Sequence, residues 1–297
     1  MMSNLKLLVG PASNILGSKI SELMNIEKVN PTYKIFPDGE SYVRIEDIEK
    51  EDLVILVQSL SPPQDRNLFV LLQMLSVLND IGVKEVILVV PYLAYARQDK
   101  MFLPGEAISS KVVSKMLSSF YFKKLLVVEP HSNESISFFG EKAESISATN
   151  SVLYFIKEVL RKNYVVVAPD EGRLSKVIEI SKLLGSDYGW LIKSRDRYSG
   201  KVESKIGKVI GKASEVLLFD DIVSTGGTIS EAANILKKEG IKSIDLICVH
   251  GLFVGNAEER IREAGVRNIF CSDTVEGKFT SFSVSREIVE KLRQMIS

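Results

Sequence analysis

The chain has 297 residues, with 38 lysines and arginines balanced by 38 aspartates and glutamates. That length exceeds what one hydrophobic core usually organises and predicts two α/β domains of roughly 150 residues each. The charge balance argues against bulk binding to nucleic acid or an anionic membrane and points to small-molecule partners. Cys248 and Cys271 lie in or near apolar runs without C-x-x-C spacing, which suits buried thiols in a reducing compartment and no structural zinc. The N-terminal apolar run is too short for a signal h-region or a membrane span, so a cytoplasmic protein is expected.

In chain order, short β-rich apolar runs at 54–58, 86–90, 125–128, 165–168, 216–219 and 244–249 alternate with polar loops and segments of helical spacing. This alternation predicts βαβ units and parallel sheets. Residues 68–81 are apolar nearly all round, which suits either a core helix or a helix buried at an interface. The expected domain boundary lies near 148–151, before the helix-like stretch 152–161, giving domains 1–148 and 149–297. The segment from Ser283 could cross back to the first domain. Ile229, Ala232, Ala233 and Leu236 follow the i, i+3, i+4, i+7 template, with Lys237 and Lys238 in the last turn and Gly240 as terminator, so a helix is predicted there. Ligands in open α/β sheets bind outside the carboxyl ends of strands, and the polar loops at those ends are where chemistry is expected.

The most informative loop is 217–228, Leu-Leu-Phe-Asp-Asp-Ile-Val-Ser-Thr-Gly-Gly-Thr, a buried strand ending in two carboxylates and followed by the helix just described. Gly226 and Gly227 let backbone N–H groups close around phosphate oxygens, the helix N-terminus adds a favourable dipole, and Ser224, Thr225 and Thr228 supply hydroxyl donors. Asp220 and Asp221 suit vicinal sugar hydroxyls. Phosphate plus hydroxyls describes a phosphorylated sugar. Taken alone, the loop also suits a turn with an N-cap. It is not a Walker A loop, since the Gly-Lys-Ser/Thr ending is missing.

This segment resembles the phosphoribosyl-diphosphate motif shared by type I phosphoribosyltransferases and the ribose-phosphate diphosphokinases. Four further segments resemble the diphosphokinase family alone: Phe36-Pro37-Asp38-Gly39-Glu40, Tyr95-Ala96-Arg97-Gln98-Asp99, Glu129-Pro130-His131 with Phe138-Phe139-Gly140, and His250-Gly251-Leu252-Phe253. They span the chain in family order, and the Val-His-Gly-Leu-Phe-Val-Gly-Asn-Ala segment and the Phe-Thr-Ser-Phe-Ser-Val ending look closer to archaeal members. The resemblance implies two similar type I phosphoribosyltransferase-like α/β domains, each with a mainly parallel sheet flanked by helices. It also implies transfer of the diphosphoryl group of ATP to C1 of ribose 5-phosphate, with Mg2+ as cofactor and a homodimer, or a larger homo-oligomer built from dimers.

Site residues follow from the same resemblance. Phe36, Asp38 and Glu40 would reach ATP held by the partner subunit, although the segment read locally is a Pro-initiated turn. Arg97 suits a polyphosphate and Gln98 a base or sugar, which with Asp99 completes an expected ATP loop, or else a solvated polar loop. His131 corresponds to a magnesium-linked histidine and is expected to serve metal, ATP and catalysis. Asp170, Glu171, Gly172 and Arg173 correspond to the diphosphate loop, with Asp170 as a second metal contact. Lys193 and Arg195 correspond to the basic residues of a catalytic loop that includes Asp196 and Arg197. Three positions depart from the family: Glu129 where aspartate is usual, Arg173 where a second glycine is common, and Ser224 where many phosphosugar loops carry aspartate. The last makes a carboxylate base at that point impossible, whereas Arg173 suits direct contact with diphosphate oxygens. Two other readings remain at this stage: a non-catalytic regulatory paralogue, and a type I phosphoribosyltransferase with a fused domain, which leaves the Phe-Pro-Asp-Gly-Glu and Arg-Gln-Asp segments unexplained.

Overall fold

The computed structural model describes residues 4–195, 202–206 and 215–296. It divides into two compact units, Met1–Ala148 with Asp273–Glu276 and Ser283–Ser297, and Thr149–Ser272 with Gly277–Phe282.

The first unit is built from β1 (Leu5–Val9), α1 (Asn14–Met24), β2 (Lys28–Val29), β3 (Thr32–Ile35), β4 (Ser41–Arg44), β5 (Leu53–Val57), α2 (Gln64–Ile81), β6 (Glu85–Val90), α3 (Ser109–Ser118), β7 (Lys124–Val128), α4 (Asn133–Ser137) and β8 (Ala143–Ile146). Its main sheet runs β2-β1-β5-β6-β7-β8, every neighbouring pair parallel. Val54, Ile55, Leu56, Leu88, Val89 and Leu126 are fully buried, as expected of strands covered on both faces. Helix α2 starts four residues before the apolar stretch predicted from sequence and is sided rather than uniformly buried. Leu71, Met74, Leu75 and Leu78 enter the core, while Phe69 is 54% exposed. Phe69 joins Leu68, Leu72, Val112, Val113 and Met116 around a cavity of roughly 420 Å³.

The second unit comprises α5 (Thr149–Tyr154), continued by a π-helical segment Phe155–Leu160, then β9 (Val165–Ala168), α6 (Leu174–Leu184), β10 (Tyr188–Arg195), β11 (Val202–Ile206), β12 (Glu215–Val223), α7 (Gly227–Lys238), β13 (Ser243–Gly251), α8 (Ala257–Glu263), β14 (Val266–Ser272) and β15 (Thr280–Phe282). Its sheet runs β11-β10-β9-β12-β13-β14-β15, parallel throughout except for the antiparallel β10–β11 pair. The chain then returns to the first unit as α9 (Ser285–Ile296). The mainly parallel two-sheet architecture expected from sequence is therefore the one observed. Among the described residues, no helix is long and apolar enough to cross a membrane.

The two units share one topology. Without the edge strand β11, the order β10-β9-β12-β13-β14-β15 repeats β2-β1-β5-β6-β7-β8 element for element. The antiparallel β3–β4 hairpin holds the chain position that β10–β11 holds in the second unit, and the β5–α2 connection that of the 224–228 loop. In the first unit the loop ends beside β1 and β5 are filled by the returning chain. Glu276 Oε1 accepts the Leu16 N–H at 2.9 Å, Ser59 Oγ donates to the Thr274 carbonyl at 2.6 Å, and Lys19 pairs with buried Asp273 at 3.0 Å. Ser13 at the start of α1 makes no side-chain cap of its own, so Glu276 caps the helix from 260 residues away in sequence. Loss of such a cap costs about 1 kcal/mol. Glu276→Ala should therefore lower the urea midpoint followed by circular dichroism, and Glu276→Gln, which keeps an acceptor, should stay near wild type. An unchanged Ala variant would show that the cap carries no stability.

Candidate active site

Strand β12 is longer than predicted and carries both carboxylates inside it. Asp220 and Asp221 are only 8% and 6% exposed. Asp220 Oδ1 accepts the Asp221 N–H at 2.9 Å and Asp221 Oδ1 accepts the Ile222 N–H at 2.8 Å. Burial, with the neighbouring Asp221 charge next in weight, pushes the Asp220 carboxyl well above the usual carboxylate range; Arg173 opposes the rise.

Beyond β12 the phosphate-loop candidates curl into α7. Gly226 has φ 74° and starts the helix, and a Cβ there would lie 2.9 Å from Ile261 side-chain atoms and 3.1 Å from the Ala257 carbonyl oxygen. Only glycine meets both demands. Ser224 and Thr228 are half-buried and Thr225 is exposed. The loop is strapped from behind by the segment after β13. The Leu252 and Phe253 N–H groups donate to the Val223 carbonyl at 2.9 and 3.2 Å, and the Val254 N–H to the Ser224 carbonyl at 3.0 Å. Arg260 Nη1 adds a bond to the Thr225 carbonyl at 3.2 Å. The strap bends close to the sheet: a Cβ on Gly251 would lie 2.7 Å from Cys271 Sγ. His250-Gly251-Leu252-Phe253 thus acquires a physical role that its residue types alone did not disclose. Arg260 had no signal in the sequence, because its partner lies 35 residues away.

At the end of β9, which pairs with β12, Asp170 caps the short turn Glu171–Arg173 by accepting the Gly172 N–H at 3.0 Å. Arg173 then reaches the two carboxylates, with Nη1 3.0 Å from Asp221 Oδ2 and Nε 3.7 Å from Asp220 Oδ1. Its guanidinium lies on the acidic pair, whereas the sequence suggested diphosphate oxygens. The structure therefore brings together Asp170, Arg173, Asp220, Asp221 and the 224–228 loop at one sheet edge.

Residues 5–120 match the N-terminal domain of ribose phosphate pyrophosphokinase and residues 142–286 match the phosphoribosyl transferase domain. The ribose-phosphate pyrophosphokinase of Saccharolobus solfataricus is 38% identical over 267 residues, 90% of this chain and 91% of that protein. Its counterpart in Methanobrevibacter smithii is 36% identical over 295 residues, 96% and 98% of the two chains. The chain belongs to the ribose-phosphate pyrophosphokinase family. The crystal structure of phosphoribosylpyrophosphate synthetase from Mycobacterium smegmatis shares the fold, with a TM-score of 0.86 over 99% of both chains at 24% identity.

The remaining expected residues lie elsewhere. In the first unit, Phe36, Asp38 and Glu40 form the tip of the β3–β4 hairpin. Phe36 N–H donates to the Glu40 carbonyl and Gly39 N–H to the Phe36 carbonyl, both at 2.8 Å, Asp38 Oδ1 accepts the Glu40 N–H at 3.1 Å, and the tip is exposed. Gln73 on α2 anchors the hairpin by donating to the Ser41 carbonyl at 2.9 Å. Arg97 and half-buried Gln98 and Asp99 follow β6. Gln98 turns back to donate to Glu106 at 3.3 Å, an interaction that shapes the loop. His131, half-buried, follows β7 at the same carboxyl edge of the sheet. The Glu129 carboxylate accepts Ser147 Oγ at 2.9 Å and the Ala148 N–H at 2.8 Å, which gives this departure from the family a structural use. Lys193 and Arg195 pair through their backbones with Ser204 and Val202; their side chains, and Asp196 and Arg197 altogether, lie outside the described residues.

For magnesium, Asp170 offers a hard oxygen donor of the right kind at the sheet edge, with one oxygen engaged by Gly172. No grouping of three or more His, Cys, Asp or Glu side chains suited to a metal occurs among the described residues. Magnesium keeps several waters and commonly needs only one or two carboxylates with substrate phosphates, so Asp170 fits the cation without a protein cage.

The raised Asp220 pKa carries a signed consequence. Above the ordinary carboxylate range the unfolded chain is ionised while the native chain still favours the proton, so this group's contribution to stability falls as pH rises. Asp220→Asn keeps the acceptor and removes the charge. Its melting temperature should match wild type near pH 4 and exceed it at pH 8. A variant that melts lower at every pH would show that Asp220 is held as a stabilising anion instead.

Proposed function

We propose that the chain transfers the β,γ-diphosphoryl group of ATP to the C1 hydroxyl of ribose 5-phosphate, giving 5-phosphoribosyl 1-diphosphate and AMP. The observation that carries this reading is the convergence, at one sheet edge, of two buried carboxylates with a glycine-and-hydroxyl loop at the start of α7. Carboxylates accept from sugar hydroxyls while the loop's N–H groups suit a phosphate. Both halves of the chain match domains of a family whose curated members are named for this reaction.

In the reaction, the bond from C1 oxygen to the β-phosphorus forms as the bond from that phosphorus to the AMP oxygen breaks, and the hydroxyl proton passes to solvent. Positioning and electrostatics supply most of the acceleration for such a transfer. Asp220, Asp221 and 224–228 hold the sugar phosphate. Arg97, Gln98 and Asp99 hold ATP with His131, and Glu171 and Gly172 line the diphosphate. Asp170 and His131, each within its own unit, are the proposed magnesium contacts, and the cation would supply charge neutralisation on the phosphate oxygens when bound. Lys193 and Arg195 act on the charge that develops during transfer. Ser224 removes any carboxylate base at its position. An assay for AMP from ATP and ribose 5-phosphate should give metal-dependent turnover. A cation on a developing phosphoryl charge is worth roughly 10³- to 10⁵-fold, so Lys193→Ala and Arg195→Ala should lower kcat by orders of magnitude, with Michaelis constants and melting temperature little changed. Near-normal turnover in both variants would remove the two residues from the catalytic loop.

The assembly proposed is a homodimer. Two features support it: the exposed hairpin tip carrying Phe36, and the apolar surface where Phe69, Val112 and Met116 are 54%, 48% and 38% exposed. Large exposed apolar side chains grouped together mark interaction surfaces. If the ATP pocket is shared, mixing a Phe36→Ala, Glu40→Ala chain with an Arg97→Ala chain should regenerate some intact sites and recover activity that neither has alone. Proven subunit exchange without recovery would place the pocket within a single chain.

A further inference from the structure

Successive side chains on a strand point to opposite faces, so two consecutive aspartates would ordinarily diverge. Here Asp220 and Asp221 both reach one cation, Arg173 Nε standing 3.7 Å from Asp220 Oδ1 and Nη1 3.0 Å from Asp221 Oδ2. Each carboxylate also accepts, through Oδ1, the N–H of the residue that follows it; Arg173 faces that same oxygen on Asp220 and the other oxygen, Oδ2, on Asp221. The root of Arg173 is itself held, because its N–H lies 3.4 Å from the Asp170 carbonyl in the turn that Asp170 caps. The side chain is 22% exposed and reaches the pair from the loop of the adjoining strand β9.

We propose that Arg173 is a positioning residue of the sugar site, bridging Asp220 and Asp221 so that the two carboxylates converge on the vicinal hydroxyls of a ribose ring. This rests on the proposed ribose 5-phosphate site. Its chemistry is specific. A planar guanidinium presents several donors in fixed relative directions, so it sets the angle between two acceptors, whereas an ammonium supplies a point charge on a flexible stem. Burial and the neighbouring acid both disfavour a charge on Asp220, and the bridging cation opposes them before any substrate arrives. A sugar lacking one of the paired hydroxyls leaves one oriented acceptor unmatched, which makes the bridge a determinant of selectivity for ribose over 2-deoxyribose as well as of affinity.

The test uses the full chain, with Arg173→Met to remove the cation at similar length and Arg173→Lys to restore charge without the fork. Calorimetry with ribose 5-phosphate alone and steady-state kinetics with both substrates should show ribose 5-phosphate Kd and KM raised about tenfold or more in the Met variant. The KM for ATP should move less than about threefold. The Lys variant should recover part of the affinity, and the preference for ribose 5-phosphate over 2-deoxyribose 5-phosphate should narrow in both. A fall in kcat with unchanged KM would overturn the proposal and place Arg173 on the transferring group, and equal losses for both substrates with a lowered melting temperature would overturn it in favour of a folding role. Unaltered ribose 5-phosphate binding in the Met variant would defeat the inference while leaving the proposed function intact. A wild-type chain that binds no ribose 5-phosphate would defeat that function, and this inference with it.

Discussion

Two carboxylates on consecutive residues of a buried strand set the terms for the rest of the second unit. A charge removed from water is costly unless it is paired or hydrogen-bonded, and Asp220 and Asp221 answer with the next residue's N–H in each case and with Arg173 between them. Asp245, in the neighbouring strand, shows how the same sheet satisfies an acid at its opposite edge. Tyr164 Oη donates to it at 2.5 Å and Asn268 supplies a backbone and a side-chain N–H at 3.2 and 3.0 Å. The Asp245 network joins strand ends. The Asp220 and Asp221 network stands beside the glycine loop at the edge where ligands of parallel sheets collect.

The repeated topology shows how one scaffold serves two ends. In the second unit the β12–α7 connection is a short glycine turn with hydroxyls at the N-terminus of α7. In the first, Thr274 of the returning segment accepts the Ser59 hydroxyl in the β5–α2 connection, and the carboxylate of Glu276 binds an N–H at the start of α1, the counterpart of α6. A chain-borne anion there gains from the same dipole and orphan N–H groups that favour a phosphate elsewhere. Similarly, β10–β11 carries the basic residues of the proposed catalytic loop, whereas β3–β4 ends in a tight exposed turn whose Phe36 ring packs edge-on against Tyr42 at 5.9 Å. The hairpin's shape is fixed by local bonds, so its tip can present the same surface whatever it meets.

Much of this was legible in the sequence because the signals were local. Buried parallel strands write themselves as apolar runs, and the six predicted runs fall on β5, β6, β7, β9, β12 and β13. The glycine and hydroxyl turn before α7 was readable for the same reason: its residues are adjacent in the chain. The edge strands β2 and β15 have two and three residues, too short for periodicity to register. The Arg173 bridge was invisible because residues about fifty apart meet only after β9 and β12 pair, and the residue type alone suited a phosphate oxygen as well as a carboxylate. Helix α2 read as apolar all round because hydropathy does not distinguish Leu71 in the core from Phe69 on the surface.

The placement of opposite charges also constrains how the proposed reaction can run. The sugar grip is acidic and buried, and a transferring diphosphoryl group is strongly anionic, so the carboxylates must be screened from it. Arg173 lies on the loop of β9, whose residues Asp170 to Gly172 are the proposed diphosphate and metal positions, and its cation faces the pair of acids. In the proposed arrangement it would interpose positive charge between the hydroxyl grip and the diphosphate side of the same edge. With serine at 224, no further carboxylate is added on the phosphate loop. Such a layout favours catalysis by charge placement over catalysis by a dedicated base, since Asp170, Asp220 and Asp221 each already have a hydrogen-bonding or ionic partner to orient them.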